Sequence, residues 1–198
     1  MSFSAIYDAC VLFPFETRDI LMYAAYTRVF RVHWSEQILD ECTRNLVKRN
    51  KANIDGMKRM VQGMNKAFPD ASVPLKDYEP LIAAMTCDKN DRHVLSAAVA
   101  RKMDYLVTAN FKDFPYDCVR PYKIEVCSAD DFVIKVIEEN PTAFLHWYNK
   151  MVDARIANAK KRNWEPVPDL QSIATHSRNK PMPKTGDRIL QLLSTEEK

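Results

Sequence analysis

Glycine is nearly missing from this chain, at 3 of 198 residues. That scarcity excludes the glycine-rich loops that cradle phosphates, and neither GxGxxG nor GxxxxGK followed by Ser or Thr occurs. No apolar run approaches the roughly 20 residues that a membrane-spanning helix needs. The five cysteines, Cys10, Cys42, Cys87, Cys118 and Cys127, include no CxxC pair. The four histidines, His33, His93, His146 and His176, lack the close spacing of a zinc site. The first residues, MSFSAIYDACVLFP, have neither the basic segment nor the small-residue cleavage site of a secretory leader. The simplest reading is a cytoplasmic protein whose cysteines are reduced and serve mostly as small hydrophobes. A Cys118–Cys127 bridge across a short loop is the alternative, and the compartment argues against it.

What is present is typical of a folded globular protein, with 46% hydrophobic and 28% charged residues. The length suits one ordinary domain plus an extension. A net charge of +3 permits a nucleic-acid partner without demanding one.

Hydrophobic spacing organises the chain as strand and helix in alternation. Phe3–Tyr7 predicts a first strand ending at Asp8, and Ile20, Leu21, Ala24, Ala25 and Val29 place a helix over 16–30. A short strand over 31–33 leads to a helix with Ser35 as its N-cap, whose apolar arc is Ile38, Leu39, Cys42 and Leu46. Another helix runs from Asn53 to Pro69, with Met57, Met60, Val61, Met64 and Phe68 inward as core filler. In 74–87, Leu81, Ile82 and Met85 fit a strand or a helix equally. A helix carrying Val94, Leu95, Ala98 and Val99 then precedes the strand YLVTAN, and 123–127 forms the last strand. The expected fold class is α/β, a mostly parallel sheet flanked by helices over 1–128. From 129 to 198 an all-helical C-terminal extension is expected, with helices over 129–139, 143–159 and 185–193.

Ligand sites in open parallel sheets gather beyond the carboxyl ends of the strands. Asp8 follows the first strand, and Asn110 and Asp113 follow YLVT; Asp91 opens the helix just before that strand, and Asp88 is a rival N-cap for the same helix. At about 100° per residue, Glu41 lies roughly 60° from Ile38 and borders the apolar arc, with Asn45 one turn on. Carboxylates gathered without basic partners repel one another unless a cation sits between them. Oxygen-only ligand sets suit Mg²⁺ or Mn²⁺, which can activate water for attack on a phosphodiester. Taken singly, each acid has an ordinary role. Asp8 and Asp113 suit turns, Asp88 suits a helix cap and Glu41 suits a solvated helix face.

The ordered series IYDACVLFP, SEQILDEC, DKNDRHVLSAAV and DYLVTANFKDF resembles the four-part acidic pattern of PIN domains, over roughly residues 3–128. It is especially similar to the VapC-like branch, the toxin half of toxin–antitoxin pairs. The stretches ADDFVIKVIEENP and NKPMP also resemble the helical extension of some VapC-like proteins. The resemblance implies metal-dependent endoribonuclease activity leaving 5′-phosphate and 3′-hydroxyl ends, with Mg²⁺ or Mn²⁺ as cofactor. It implies that Asp8, Glu41, Asp91 and Asp113 are the catalytic, metal-holding acids, with Thr108, Asn110, Asn45 and Cys10 in support. Position 10 is Cys where a small polar residue is usual, which predicts a missing hydrogen bond near the metal. Position 110 is Asn where many relatives place Asp, which leaves Asp113 to supply the charge. The implied partners are RNA, a cognate antitoxin and a second copy of the chain.

Basic residues should surround an acidic site that accepts phosphates. Candidates for nucleic-acid binding are Arg44, Lys48, Arg49, Lys51, Arg92, Lys112 and the run Lys160–Lys161–Arg162 beside Trp164, which could stack on a base. Each also reads as an ordinary solvated cation. A related DNA nuclease and a catalytically silent PIN scaffold remain as alternatives. An aspartyl-nucleophile phosphatase is disfavoured, because Ala9 and Cys10 follow Asp8 where a second Asp is needed.

Overall fold

The computed structural model describes residues 3–48 and 53–196. In chain order the elements begin with β1 (Phe3–Tyr7), α1 (Ala9–Leu12), α2 (Phe15–Ala25), β2 (Phe30–Ser35), α3 (Glu36–Lys48) and α4 (Ile54–Ala67). There follow β3 (Ser72–Val73), α5 (Leu75–Tyr78), a 3-10 turn (Glu79–Ala84), α6 (Arg92–Ala100) and β4 (Tyr105–Val107). A 3-10 turn (Phe111–Asp113), α7 (Tyr116–Val119), another 3-10 turn (Arg120–Tyr122) and β5 (Glu125–Cys127) complete the α/β part. The remainder is helical: α8 (Ala129–Glu139), α9 (Pro141–Lys161), α10 (Leu170–Asn179) and α11 (Pro183–Glu196).

The five strands form one parallel sheet in the order β3-β2-β1-β4-β5. β1 is therefore central, and the chain order reverses direction between β1 and β4. A crevice at the carboxyl ends of those two strands is where open α/β sheets take ligands. The burial of β1 fits that position, since Ala5, Ile6 and Tyr7 are all 0% exposed and a strand covered on both faces needs apolar residues throughout. At the opposite end, the Asp104 carboxylate accepts the Ser4 backbone N–H at 2.8 Å and its hydroxyl at 2.9 Å, which clips β1 to the start of β4.

Several boundaries differ from the sequence expectation for local reasons. The helix expected over 16–30 stops at Ala25, because Arg28 takes a left-handed φ of 56°. Thr27 stabilises that turn by donating its hydroxyl to the Ala24 carbonyl at 2.6 Å and accepting the Val29 N–H at 3.3 Å. The freed residues extend β2 to Phe30–Ser35. Ser35 then caps α3, its Oγ accepting the Ile38 N–H at 3.2 Å. Asn53 caps α4 through the Gly56 N–H at 2.6 Å. The ambiguous stretch 74–87 is helical, as α5 and a 3-10 turn. The two-residue edge strand β3 and helix α10 were not visible in the hydrophobic pattern.

By packing, the chain divides into two units. One comprises Met1–Pro14 with Phe30–Ser128, and the other Phe15–Val29 with Ala129–Lys198. Helix α2 thus belongs with the C-terminal helices. Within that second unit Arg155 on α9 pairs with Asp19 on α2 at 2.7 Å, and Trp147 stacks on Tyr26 with centroids 4.7 Å apart. The Asp130 carboxylate on α8 accepts the Lys184 and Thr185 N–H groups in the first turn of α11. Asp169 and Ser172 form a reciprocal capping box on α10.

Helices α10 and α11 approach so closely that a Cβ at Gly186 would lie 2.2 Å from the Arg178 backbone nitrogen. At Gly63, exposed on α4, a Cβ would meet nothing within 4 Å. Gly186→Ala should therefore destabilise by about 1–3 kcal/mol through overpacking. Gly63→Ala should stabilise by about 0.5–1 kcal/mol by relieving the entropic penalty of helical glycine. Denaturant melts of both variants check this, and shifts of the same sign would contradict the close approach.

Candidate functional site

Asp8 sits one residue beyond β1 and is 1% exposed. Its N–H donates to the Val107 carbonyl at 3.0 Å, which continues the β1–β4 ladder past the strand end. Its Oδ2 accepts the Thr108 hydroxyl at 2.7 Å. The same oxygen accepts the Cys10 thiol at 3.0 Å. The bond expected to be missing at position 10 is therefore made by sulfur. Burial, and then the charge of Asp8, push the Cys10 thiol up to about 12, so it meets the carboxylate as a protonated donor. Cys10 Sγ in turn accepts the Ala109 N–H at 3.1 Å, and Thr108 Oγ1 accepts the Asn110 N–H at 3.0 Å. The loop after β4 is thereby folded onto Asp8.

Asp91 and Asp88 have different roles from those that capping alone suggests. Asp91, not Asp88, occupies the N-cap position of α6, and its side chain caps nothing. The Asp88 carboxylate accepts the Asn90 N–H at 2.9 Å in the preceding turn. The Asp88 N–H donates to the Asp113 carbonyl at 3.1 Å, so the loops bearing Asp91 and Asp113 are tied together. Asp113 ends a 3-10 turn, with its N–H donating to the Asn110 carbonyl at 3.0 Å.

Convergence of these acids is recorded most clearly at Asp91. Burial, followed by the charges of Asp8, Asp113, Glu41 and Asp88, pushes its carboxyl from the ordinary 3.8 up to about 7. Glu41, half-buried on α3, has its Oε2 3.6 Å from Nε2 of the buried His93. That separation is an electrostatic contact and not a hydrogen bond. Among the described residues no group of three His, Cys, Asp or Glu side chains is drawn together as a finished metal shell. Carboxylates of like charge hold apart unless a cation is between them. The donor set of hard oxygens nonetheless fits Mg²⁺, which keeps several waters and takes only one or two carboxylates directly.

The basic candidates are dispersed. Arg44, Asn45 and Lys48 line a cleft of about 610 Å³ beside Glu41. Lys112 is exposed on the turn that carries Asp113. Arg92 is half-buried, with its Nε buried and without a hydrogen-bond partner. Lys160, Lys161 and Arg162 end α9 in the second unit, where the Arg162 guanidinium lies 5.1 Å from the Trp164 ring centroid and covers one face of it. Arg49 and Lys51 lie outside the described residues. The sequence reading missed His93, Lys89, Asn90 and Gln37, which line the same cleft. His93 could have been noticed only as the polar residue on the inward side of α6, since its contact with Glu41 is remote in sequence.

A raised carboxyl has a defined effect on stability. Between pH 3.8 and about 7 the folded chain keeps a proton on Asp91 that the unfolded chain has released. Stability therefore falls as pH rises through that window. Asp91→Asn should raise the Tm in EDTA at pH 8, by roughly 2–4 °C per kcal/mol of burial and repulsion cost relieved. The gain should be less than half as large at pH 5, where only part of that window has been crossed. Thermal melts at the two pH values check this, and an equal effect at both would show that the charge of the carboxyl is not the cause.

The PIN domain family matches residues 4–112, more than half of the chain. Over 79 residues the chain is 42% identical to a protein of Mycobacterium tuberculosis (strain ATCC 25618 / H37Rv) named "Putative ribonuclease VapC50". That similarity covers 40% of this chain and 47% of the relative, so the chain spans about half the length of the curated protein it matches. No solved structure matches. The parallel five-stranded sheet, with acids at the carboxyl ends of its central strands, agrees with the family match, and the chain belongs to the PIN-domain family.

Proposed function

We propose that this chain is a divalent-metal-dependent endoribonuclease, the toxin of a type II toxin–antitoxin pair. The observation that supports it most is the raised carboxyl of Asp91, held by burial and by the charges of Asp8, Asp113 and Glu41. A site that only had to be stable has no physical need for such a cluster. The printed name of the mycobacterial relative adds support from similarity.

On this reading Asp8, Glu41, Asp91 and Asp113 hold Mg²⁺ or Mn²⁺, with Thr108, Cys10, Asn110 and Asn45 supporting them. The bound ion supplies activation of water and neutralisation of charge on the phosphodiester. Thr108 and Cys10 both occupy Oδ2 of Asp8, which aims the carboxylate and leaves Oδ1 for a ligand. Asp91 has to lose its proton to bind a cation, so activity should rise with pH toward about 7. Water oxygen bonds to phosphorus as the bond to the 3′ oxygen breaks, and that oxygen takes up a proton. The products are 5′-phosphate and 3′-hydroxyl ends. Partners on the same reading are RNA, a cognate antitoxin and a second copy of the chain. No described helix is long and apolar enough to cross a membrane.

End-labelled total RNA and defined tRNAs, incubated with the protein and Mg²⁺ or Mn²⁺, provide the test. Discrete cuts should vanish in EDTA, in Asp8→Ala and in Asp91→Asn. Asp88→Asn should keep the cuts and cost no more than about 1 kcal/mol of stability, because the amide oxygen can still accept the Asn90 N–H, only without the charge. Cutting that survives Asp8→Ala would overturn the assignment. So would its absence with either metal from folded, partner-free protein.

A further inference from the structure

The cleft beside Glu41 has a composition that water activation does not explain. It is walled by α3 on one side and by the segment from the 3-10 turn to the start of α6 on the other. Three cations, Arg44, Lys48 and Lys89, face one acid, Glu41, which suits an anionic ligand. Three carboxamides, Gln37, Asn45 and Asn90, line it as well. A bare phosphate accepts hydrogen bonds only. A carboxamide presents a donor and an acceptor side by side, the edge that pairs with a nucleobase. Among the described residues the side-chain amides of Asn45 and Asn90 make no hydrogen bond. Ile82 adds an apolar wall. The volume of about 610 Å³ falls within the roughly 300–1,000 Å³ of small-ligand sites.

His93 links this cleft to the acids. Its side chain is 6% exposed and lines the cleft, Nε2 faces Glu41 at 3.6 Å, and Nδ1 is buried with no hydrogen-bond partner. A ligand in the cleft therefore lies against the residue that touches Glu41. We propose that the cleft seats one unpaired nucleotide of the RNA, next to the phosphate that is cut, and reads its base through Gln37, Asn45 and Asn90. Arg44, Lys48 and Lys89 hold the backbone and carry no sequence information. The base has to be unstacked to present its edge, so the substrate is single-stranded at this point. This deepens the ribonuclease reading and rests on it.

Binding can be measured apart from cleavage. Asp91→Asn protein in EDTA, with one repelling charge removed, is titrated with fluorescein-labelled single-stranded RNA. The competitors are DNA of the same sequence, an RNA duplex, the four nucleoside 5′-monophosphates and inorganic phosphate. Lys89 and Asn90 are exposed, so substitutions there leave the fold intact. Lys89→Glu should weaken RNA binding at least about tenfold and lower the salt slope by roughly one or more. Asn90→Ala should flatten the preference among the four monophosphates while competition by inorganic phosphate is unchanged. Parent-like binding by both variants would overturn the proposal. Equal competition by phosphate and every nucleotide, or a preference for duplex, would overturn it too. If the parent protein cuts RNA while these variants bind normally, the subsite fails and the nuclease reading stands. If the predicted binding pattern appears without any cutting, the cleft is a nucleotide site, and the nuclease reading fails together with the placement beside a cut phosphate.

Discussion

The hydrogen bond from the Thr108 hydroxyl to Asp8 Oδ2, 2.7 Å long, joins the ends of the two parallel strands between which the strand order reverses. Most of the site's geometry depends on it. Asp8 is buried almost completely, and a buried carboxylate without partners is costly. Thr108, with the Cys10 thiol beside it, supplies the partners on one oxygen. The same Thr108 oxygen accepts the Asn110 N–H, and that contact starts the turn which ends at Asp113. The Asp88 N–H meets the Asp113 carbonyl and brings the loop carrying Asp91 to the same place. A chain of short contacts thus leads from a single strand-end aspartate to the other loop-borne acids.

The same contacts gather like charges around Asp91. Asp91 caps nothing, is partly buried and is surrounded by acids, so its proton is held toward about pH 7. A divalent cation relieves that repulsion, which links metal binding to stability and to pH. The neighbouring cleft has the opposite sign, with Arg44, Lys48 and Lys89 along its walls. On the proposed reading, acids that would hold the metal and cations that would hold nucleic acid adjoin within one unit of the structure.

Much of this was legible in the residues. Phe3–Tyr7 is short, apolar toward its end and followed by an acid, and the strand it announces is the one observed. Ser35 and Asn53 signal their helices through capping chemistry that the structure reproduces. Other features carry no such signal. β3 has two residues and therefore no period, and its pairing with β2 depends on tertiary register. Arg28 ends α2 through a left-handed backbone that no hydrophobic pattern announces. The choice of Asp91 over Asp88 as the helix N-cap depends on which carboxylate turns back to Asn90. Cys10 looked like a loss because thiols are weak donors, yet burial keeps the proton on sulfur and places it against Asp8. His93 was invisible because its partner Glu41 lies on another helix.

The most direct test of the central claim is anomalous diffraction from crystals of the protein grown with Mn²⁺. The account predicts a manganese peak at the carboxyl ends of β1 and β4, within about 2.0–2.2 Å of an Asp8 oxygen, as expected for a small octahedral cation, with Asp91, Glu41 and Asp113 directly bound or joined through its waters. A peak elsewhere on the molecule, or none at a Mn²⁺ concentration that supports cleavage, would contradict it.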